Sequence, residues 1–519
     1  MTAATPARVS AAKAAPAVQL APEQASQTYV DVLIVGAGIS GIGAAHHLQQ
    51  RSPGKSFLIL EAKDQHGGTW YTHTYPGIRS DSDLYTFGYK FKPWSGVPIA
   101  EAKPILDYMG EVIEDDGLEG FIRYNQKVVR AAWDSSAALW TVQVMQTESD
   151  QPITYTANFL YMCQGYYDHD NPYIPDWEGM DDFKGQIVHP QLWPEDIDYK
   201  GKRVVVIGSG ATAATIIPAM AADCEHITML QRSPTYFWTG ENRNELADRL
   251  RGLDVPEEWV HEIVRRDLLS IGQMIQYLAK AEPELVKEEL FKVMREAIGE
   301  EMVKEHFTPN YRPWQQRLAY VPDGDLFDAI NSGKAGVATD HIDRFTKNGL
   351  LLQSGMELEA DIIITATGFN LLFLGGIHFE VDGRKVDFSN TVTYRGLMIS
   401  GVPNMVHVFG YLRTSWTMRV DMIGEYVCRL LNYMDVRGAK VVVAELSDEE
   451  QSMERKPWIE DDEFNSGYLK RGRDQFPKNG SHEPWCYQPD YYKEKDMMPN
   501  YAMDDPALHY IIKKKLAAL

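Results

Sequence analysis

Val30, Asp31, Val32, Leu33, Ile34, Val35, Gly36, Ala37, Gly38, Ile39, Ser40, Gly41 is the stretch on which the fold turns. A short apolar run meets a GxGxxG turn, and apolar residues at helical spacing continue through His47 and Leu48. The reading is strand, tight turn, helix. Glycine lets the turn close and lets the backbone approach a pyrophosphate, which then rests on the free amides of the helix N-terminus. One such turn alone is weak, but a second strand, Phe57 to Leu60, ends at Glu61, an acid placed to accept hydrogen bonds from a ribose diol. Gly36, Gly38, Gly41 and Glu61 are therefore candidate contacts to FAD or NAD.

The same pattern recurs further on. Arg203 to Ile207 reads as a strand, Gly208, Ser209, Gly210, Ala211, Thr212, Ala213 as a GxGxxA turn, and a small-residue helix follows. After the next strand, Ile227 to Leu230, come Gln231, Arg232 and Ser233, where an acid would select NAD. An arginine there suits a 2′-phosphate, so NADPH is expected over NADH, with a solvated surface charge as the plain alternative for Arg232. Two dinucleotides are thus expected on one chain. Between Asn242 and His306 the sequence is strongly charged, with Trp259, Ile263, Leu268, Ile271, Ile275 and Leu278 at helical spacing.

The predicted fold class is α/β, with two Rossmann-like dinucleotide-binding domains, one for FAD and one for NADP, and a helical insertion in the NADP domain. Residues 1–28, rich in Ala, Pro, Gln and Ser, read as a disordered tail, with a transit peptide as the alternative. The expected order is FAD-binding domain at 29–170, NADP-binding domain at 171–240, helical insertion at 241–310, NADP-binding domain again at 311–370, and at 371–519 the rest of the FAD-binding domain with an irregular C-terminal wrap.

The chain has 519 residues, ample for several cores, and a net charge of −22, which disfavours a nucleic-acid backbone or an anionic membrane as partner. No apolar run reaches the roughly 20 residues of a membrane span. Cys163, Cys224, Cys428 and Cys486 are far apart and form no CxxC pair, which argues against a disulfide framework and a zinc cluster, and no metal is expected. A reducing cytoplasm is the expected location.

Between the two glycine turns lies the pattern FxGxxxHxxxWP, met by Phe183, Gly185, His189, Trp193 and Pro194. A second pattern, GGxWxxxxYPGxxxD, is met by Gly67, Gly68, Trp70, Tyr75, Pro76, Gly77 and Asp81. With Ala366, Thr367 and Gly368 at a later strand end, the chain resembles type I Baeyer-Villiger monooxygenases, within the flavin-containing monooxygenases, over about residues 29 to 485. Arg79, Ser80, Asp81, Ser82, Asp83 and then Gln316, Arg317, Leu318 look like the subgroup of thioamide-prodrug activators and long-chain alkane monooxygenases.

The resemblance implies an NADPH- and O2-dependent enzyme that converts a ketone to an ester or lactone through a C4a-peroxyflavin. Arg317 matches the family's active-site arginine, a cation that never loses its proton and suits an anionic oxygen. Asp81 matches the carboxylate that holds it. By spacing alone Arg317 is a surface or ion-pair residue and Asp81 a turn cap. Gly68, Thr69 and Trp70 are implied flavin contacts, Val128 an adenine contact, and Gln316, where many members carry lysine, a contact to NADP. The linker motif, with His189 and Trp193, is implied to pin a hinge, against the plainer reading of a packed histidine. The nicotinamide-covering tryptophan of some members has no clear counterpart here, Phe464 being the weak candidate. Tyr411, Thr414, Trp416 and Met418 fall where the family lines its pocket, and their mostly apolar character points to a small uncharged ketone, while the subgroup resemblance alone implies an open-chain or aryl-alkyl one. Two alternatives stand beside this reading. One is a flavin monooxygenase acting on sulfur, nitrogen or a long alkane; the other is a non-catalytic FAD- and NADP-binding sensor.

Overall fold

The computed structural model describes residues 28–460, 464 and 466–512. The expected tail lies outside the described residues except Thr28, which opens the first strand. That strand, β1 (Thr28–Val35), runs parallel to β2 (Phe57–Leu60), and β2 to β3 (Ile122–Arg123). Helix α1 (Ile39–Arg51) and α2 (Ala102–Asp115) fall between them. An antiparallel meander of β4 (Gln126–Asp134), β5 (Leu139–Gln146) and β6 (Pro152–Met162) returns to lie parallel to β1. Val32 and Ile34 face one hydrophobic core and Leu33 and Val35 another, the two-sided burial expected of a parallel strand inside a sheet.

The second sheet is parallel throughout. It holds β7 (Gln186–Val188), β8 (Arg203–Ile207), β9 (His226–Gln231), β10 (Ala335–Thr339) and β11 (Ile362–Thr365), in the order β10-β9-β8-β11-β7. Helix α3 (Ala211–Ala221) follows β8. A parallel ribbon, Phe237–Gly240 beside Ala319–Pro322, leads out to four helices and back: α4 (Glu245–Arg251), α5 (Glu257–Ala281), α6 (Pro283–Ile298) and α7 (Glu300–His306). Helix α8 (Asp325–Asn331) precedes β10.

These helices form where the periodic pattern placed them, but the face is different. Trp259 is 59% exposed, and Ile263 and Ile271 also face solvent, while Val260, His261, Val264 and Arg265 are buried. The reason is polar. Arg265 Nη1 donates to the carbonyls of Tyr85 (2.9 Å) and Gly88 (2.8 Å), and His261 Nδ1 accepts from Trp94 N–H (3.0 Å), so α5 docks by satisfying loop backbone that has no strand partner.

The chain then returns to the first sheet with β12 (His378–Val381), β13 (Arg384–Lys385) and β14 (Met405–His407). β12 pairs with β4 and β14 with β6, completing nine strands. Helix α9 (Thr417–Arg437) packs against α1, and the last segment carries the short helices α10 (Gly467–Gly472) and α11 (Tyr491–Met497). Among the described residues no helix is long and apolar enough to cross a membrane.

Candidate active site

The first glycine turn has the form a dinucleotide pyrophosphate requires. A Cβ on Gly41 would lie 1.8 Å from Gly36 O, so only glycine lets α1 start this close to β1. Helix α1 begins at Gly38 with no side-chain cap, which leaves its first amides for a ligand. Glu61 sits beside the turn, 7% exposed, and its carboxylate accepts from Ala37 N–H (2.7 Å) and Lys63 N–H (2.9 Å). Burial pushes its carboxyl up, against the pull of those amides. The Gly67–Gly68 bend abuts Gly38, whose Cα lies 3.1 Å from where a Cβ on Gly68 would stand, and Thr69–Thr72 forms one helical turn from it. This places Gly68, Thr69 and Trp70 beside the first turn, with Trp70 edge-on to Phe87. These residues fit a bound FAD. Val128 is buried on β4, two residues beyond Gln126, whose N–H donates to Glu61 O (2.8 Å).

The second turn fits a second dinucleotide. Gly208 has φ +133°, and a Cβ there would stand 2.4 Å from Ala366 O. Helix α3 starts uncapped at Gly210, and Ala211, Thr212 and Ala213 form its first turn. Ser209 Oγ reaches Ser233 O (3.3 Å) and Thr235 Oγ1 (2.9 Å), which draws the end of β9, with exposed Arg232 and Ser233, to the turn. Sequence reasoning missed Arg471. Brought in on α10, it stacks over the Tyr173 ring (3.4 Å), donates to Phe369 O (3.1 Å), and is held below its usual range by burial and by nearby Arg232.

The two units meet at Arg317. Its Nε donates to Asp81 Oδ2 (2.8 Å) and its Nη2 to Asp81 Oδ1 (2.7 Å), a two-pronged pair across 236 positions. Nη2 also donates to Ser82 Oγ (2.8 Å) and Nη1 to Leu412 O (3.0 Å). Four of the five guanidinium N–H groups are thereby used among the described residues, and one on Nη1 remains for a further acceptor. The side chain is 30% exposed. Burial works to lower the guanidinium's pKa, but the Asp81 charge and hydrogen bonds outweigh it and hold it above the usual value. Gln316, just before it, is half-buried.

The same loop that supplies Asp81 locks the units together. Gly77 lies against Thr215 and Ala219 of α3, and Arg79 Nη1 pairs with Asp325 (2.5 Å). Tyr167 and Tyr468 lie close enough to the Arg317–Asp81 pair to feel its charge, and Tyr166 adjoins both tyrosines. Tyr166 O–H donates to Tyr167 Oη (3.1 Å), and Tyr468 is edge-on to Tyr167. They also escaped sequence reasoning, although Tyr166 and Tyr167 follow the end of β6, where sheet sites gather. Phe464 packs in the same hydrophobic core as Trp458 and Phe476, against which these tyrosines also pack.

The segment expected as a pocket wall lies between the tyrosine cluster and α5. Met418, 4% exposed, takes a hydrogen bond from Arg265 at its sulfur (3.1 Å). Trp416 stacks on Tyr166 and donates to Ser40 Oγ (2.9 Å). Tyr411 donates to buried Glu494, and Thr414 Oγ1 accepts from Gln276 (3.3 Å). None of these lines the open cavity nearby, which takes Arg413 from this loop instead.

The motif at 183–194 belongs to the second sheet. Phe183 is buried against Phe345, a Cβ on Gly185 would stand 2.2 Å from Asp361 O, and Gln186–Val188 is the edge strand β7. Trp193 packs on the core of that unit. Neutral His189, pushed down to about 4 by burial, accepts at Nδ1 from Gln191 N–H (3.1 Å) and lies near His73. Among the described residues no group of His, Cys, Asp and Glu is arranged to hold a metal ion.

Comparison with known proteins gives the family and the fold. The flavin-binding monooxygenase-like family matches residues 97–375, and an NAD(P)-binding Rossmann-like domain matches residues 34–94. The FAD-containing monooxygenase EthA of Mycobacterium tuberculosis is 44% identical over 485 residues, covering 93% of this chain and 98% of that protein. The probable FAD-binding monooxygenase AlmA of Acinetobacter baylyi is 42% identical, covering 93% of this chain and 96% of its own. Among solved structures, a cyclohexanone monooxygenase mutant from Rhodococcus bound to NADP+ superposes with a TM-score of 0.73 at 19% identity, and an oxidized steroid monooxygenase bound to NADP with 0.71 at 23%. The first covers 93% of this chain and 100% of its own, and so does the second.

Proposed function

The chain belongs to the flavin-binding monooxygenase-like family and is a flavin-dependent, NADPH-using monooxygenase, and from that premise we propose that it converts ketones to esters or lactones. The observation that carries this reading is the Asp81–Arg317 pair with its one remaining Nη1 donor. A ketone oxygen gains negative charge when its carbon is attacked, and a fixed guanidinium stabilises that charge without surrendering a proton. Asp81 sets the plane of the guanidinium, and Leu412 O fixes its roll.

When bound, FAD reduced by NADPH activates O2 and supplies the oxygen atom. The glycine turns at Gly36–Gly41 and Gly208–Ala213 would hold the two pyrophosphates, Glu61 would accept from the FAD ribose, and Arg232 would receive the NADP 2′-phosphate. Arg471, stacked on Tyr173 and close enough to Arg232 to feel its charge, gives a second cation for the same dinucleotide. Gly68, Thr69 and Trp70 flank the flavin side of the cleft. Burial raises the phenols of Tyr166, Tyr167 and Tyr468, so they stay protonated and wall the site without adding negative charge. Open-chain or aryl-alkyl ketones are the substrates that the resemblance to the subgroup implies.

Arg317→Ala tests the assignment. The FAD-loaded variant is expected to oxidise NADPH yet lose at least about a hundredfold in ester formation, as removal of one oxyanion donor does elsewhere. Full ketone conversion in that variant would remove Arg317 from the mechanism. If the native enzyme gave sulfoxides from thioethers and no ester from any ketone, oxygenation of sulfur or nitrogen would replace the reading.

A further inference from the structure

The loop that carries Asp81 crosses from the first unit into the second, and His73 stands where it crosses. Thr69–Thr72, just before it, belong to the flavin side of the cleft. Just after it, the Tyr75 ring is buried in the core of the second unit, and its hydroxyl makes a hydrogen-bonding contact with Thr212 at the start of α3. The His73 imidazole is 3% exposed and lies among aromatic rings from both sides: Tyr75 at 6.0 Å between ring centres, His169 at 5.6 Å and Phe369 at 5.5 Å. His169 follows the end of β6, and Phe369 follows β11 just past Ala366, whose carbonyl abuts Gly208.

Neither nitrogen of this ring has a hydrogen-bond partner among the described residues. A buried polar group left unpaired is unfavourable, so a ring needed only for packing would be better served by phenylalanine. Burial, with His169 and His189 nearby, pushes the His73 pKa down to about 3. The ring is therefore neutral, with one N–H to donate and one nitrogen to accept. An ionised phosphate only accepts, whereas a hydroxyl or a carboxamide does both, and matches the ring.

Position decides which end of NADP would supply that group. Arg232, just past β9, faces the adenosine side through its reading as the 2′-phosphate contact, and uncapped α3 takes the pyrophosphate. What remains is the nicotinamide half, which must come against the flavin to deliver hydride and is thereby drawn toward the loop that holds Gly68, Thr72 and His73. We propose that the two ring nitrogens of His73 bind the nicotinamide half of NADP, at a ribose hydroxyl or the carboxamide, and hold it on the flavin side of the cleft. NADP use alone is required for this, and the ketone reading of Arg317 is not.

The test titrates the full-length FAD-loaded enzyme, by calorimetry and without turnover, with NADP+ and with adenosine 2′,5′-bisphosphate, which keeps the 2′-phosphate and lacks the nicotinamide half. His73→Phe keeps an aromatic ring and removes both nitrogens. It is expected to bind NADP+ about tenfold more weakly, with bisphosphate binding and FAD content unchanged. His73→Asn, which restores a donor and an acceptor, is expected to recover part of the loss. His73→Leu gives the same readout if the phenyl ring proves too large for the variant to fold. With the 3-acetylpyridine analogue of NADP+, which lacks the amide NH2, a shrunken difference between native and variant assigns the contact to the carboxamide, and a retained difference assigns it to the ribose. Unchanged NADP+ affinity in His73→Phe overturns the proposal and leaves the ring to an ordered water shared with His169. Equal losses for NADP+ and the bisphosphate also overturn it, since a loosened seam would weaken both. So does loss of FAD from a variant of native melting temperature, which would give the ring to the flavin.

Discussion

Asp83 shows how a single side chain can write itself into the stability of this molecule. Its carboxylate caps the helical turn Leu84–Phe87 by accepting from Tyr85 N–H (2.9 Å), yet burial pushes its pKa up to about 7. In the unfolded chain the same group titrates near 3.9. Between those values the folded state holds a proton that the unfolded state has lost, so stability falls as pH rises from about 4 to about 7 and stays reduced above. Asp83 keeps some exposure, which places the effect at about 1–2 kcal/mol. Asn caps as well as Asp but does not ionise. Asp83→Asn is therefore expected to gain stability relative to the native chain at pH 8 and little at pH 4. Urea midpoints at the two values decide it, and parallel shifts would refute the burial argument. Residue-level legibility was uneven in the same region. Asp81 sits in a long pattern running from Gly67, whereas Arg317 was offered by the family resemblance and not by its short surroundings, and its remaining Nη1 donor depends on Leu412 and Ser82, which no spacing connects to it.

At the scale of elements, the segment from Phe409 to Thr417 is fastened from several sides at once. Arg419 Nη1 donates to Phe409 O (2.8 Å), Tyr487 O–H to Gly410 O (2.7 Å), and Tyr411 O–H to Glu494. Thr86 and Ser415 share a hydrogen bond (2.7 Å), and Thr417 Oγ1 donates to Phe87 O (2.5 Å). Beneath them Arg419 and Glu494 form an ion pair with no solvent exposure, tying α9 to α11. Such a pair is weak evidence for stability but strongly specifies geometry when every donor is met. Tyr411→Phe leaves the Glu494 carboxylate short of one donor, worth about 1–3 kcal/mol locally. The variant is expected to keep FAD while turning over more NADPH per molecule of product, because Leu412 O no longer fixes Arg317 as tightly. An unchanged ratio of product to NADPH would show that the fastening serves stability alone. None of this was legible beforehand. The glycine turns and strands β1, β2, β8 and β9 were legible because each carries its own period and punctuation, but α11 is only seven residues long and its partner Arg419 lies 75 positions earlier.

For the molecule as a whole, the decisive feature is that the second sheet is inserted into the first. Strands β1–β6 come before it, and β12, β13 and β14, of four, two and three residues, come after it. Strands so short have no readable alternation, and β12 pairs with β4 across some 250 positions, so their membership of the first sheet follows from packing and not from local sequence. The consequence is an asymmetry between the units. The second sheet is complete within residues 186–365, but the first is not complete without the C-terminal third of the chain. A chain ending at residue 370 would lose three strands of the nine, helix α9 against α1, and the Arg317 contact to Leu412. It would expose the faces of Phe159 and Tyr161 on β6 and of α1 that α9 covers. Burial of apolar surface at about 25 cal/mol per Å² is the main term opposing chain entropy, and a net stability of about 5–15 kcal/mol does not survive a loss on that scale. The truncated chain is expected to come through gel filtration colourless while still titrating with NADP+, since the turn at Gly208 and strands β7–β11 remain. A yellow truncated protein of native stability would mean that the first sheet closes around its cofactor without the returning strands, and the insertion would then be a detail of connectivity and not a constraint on folding.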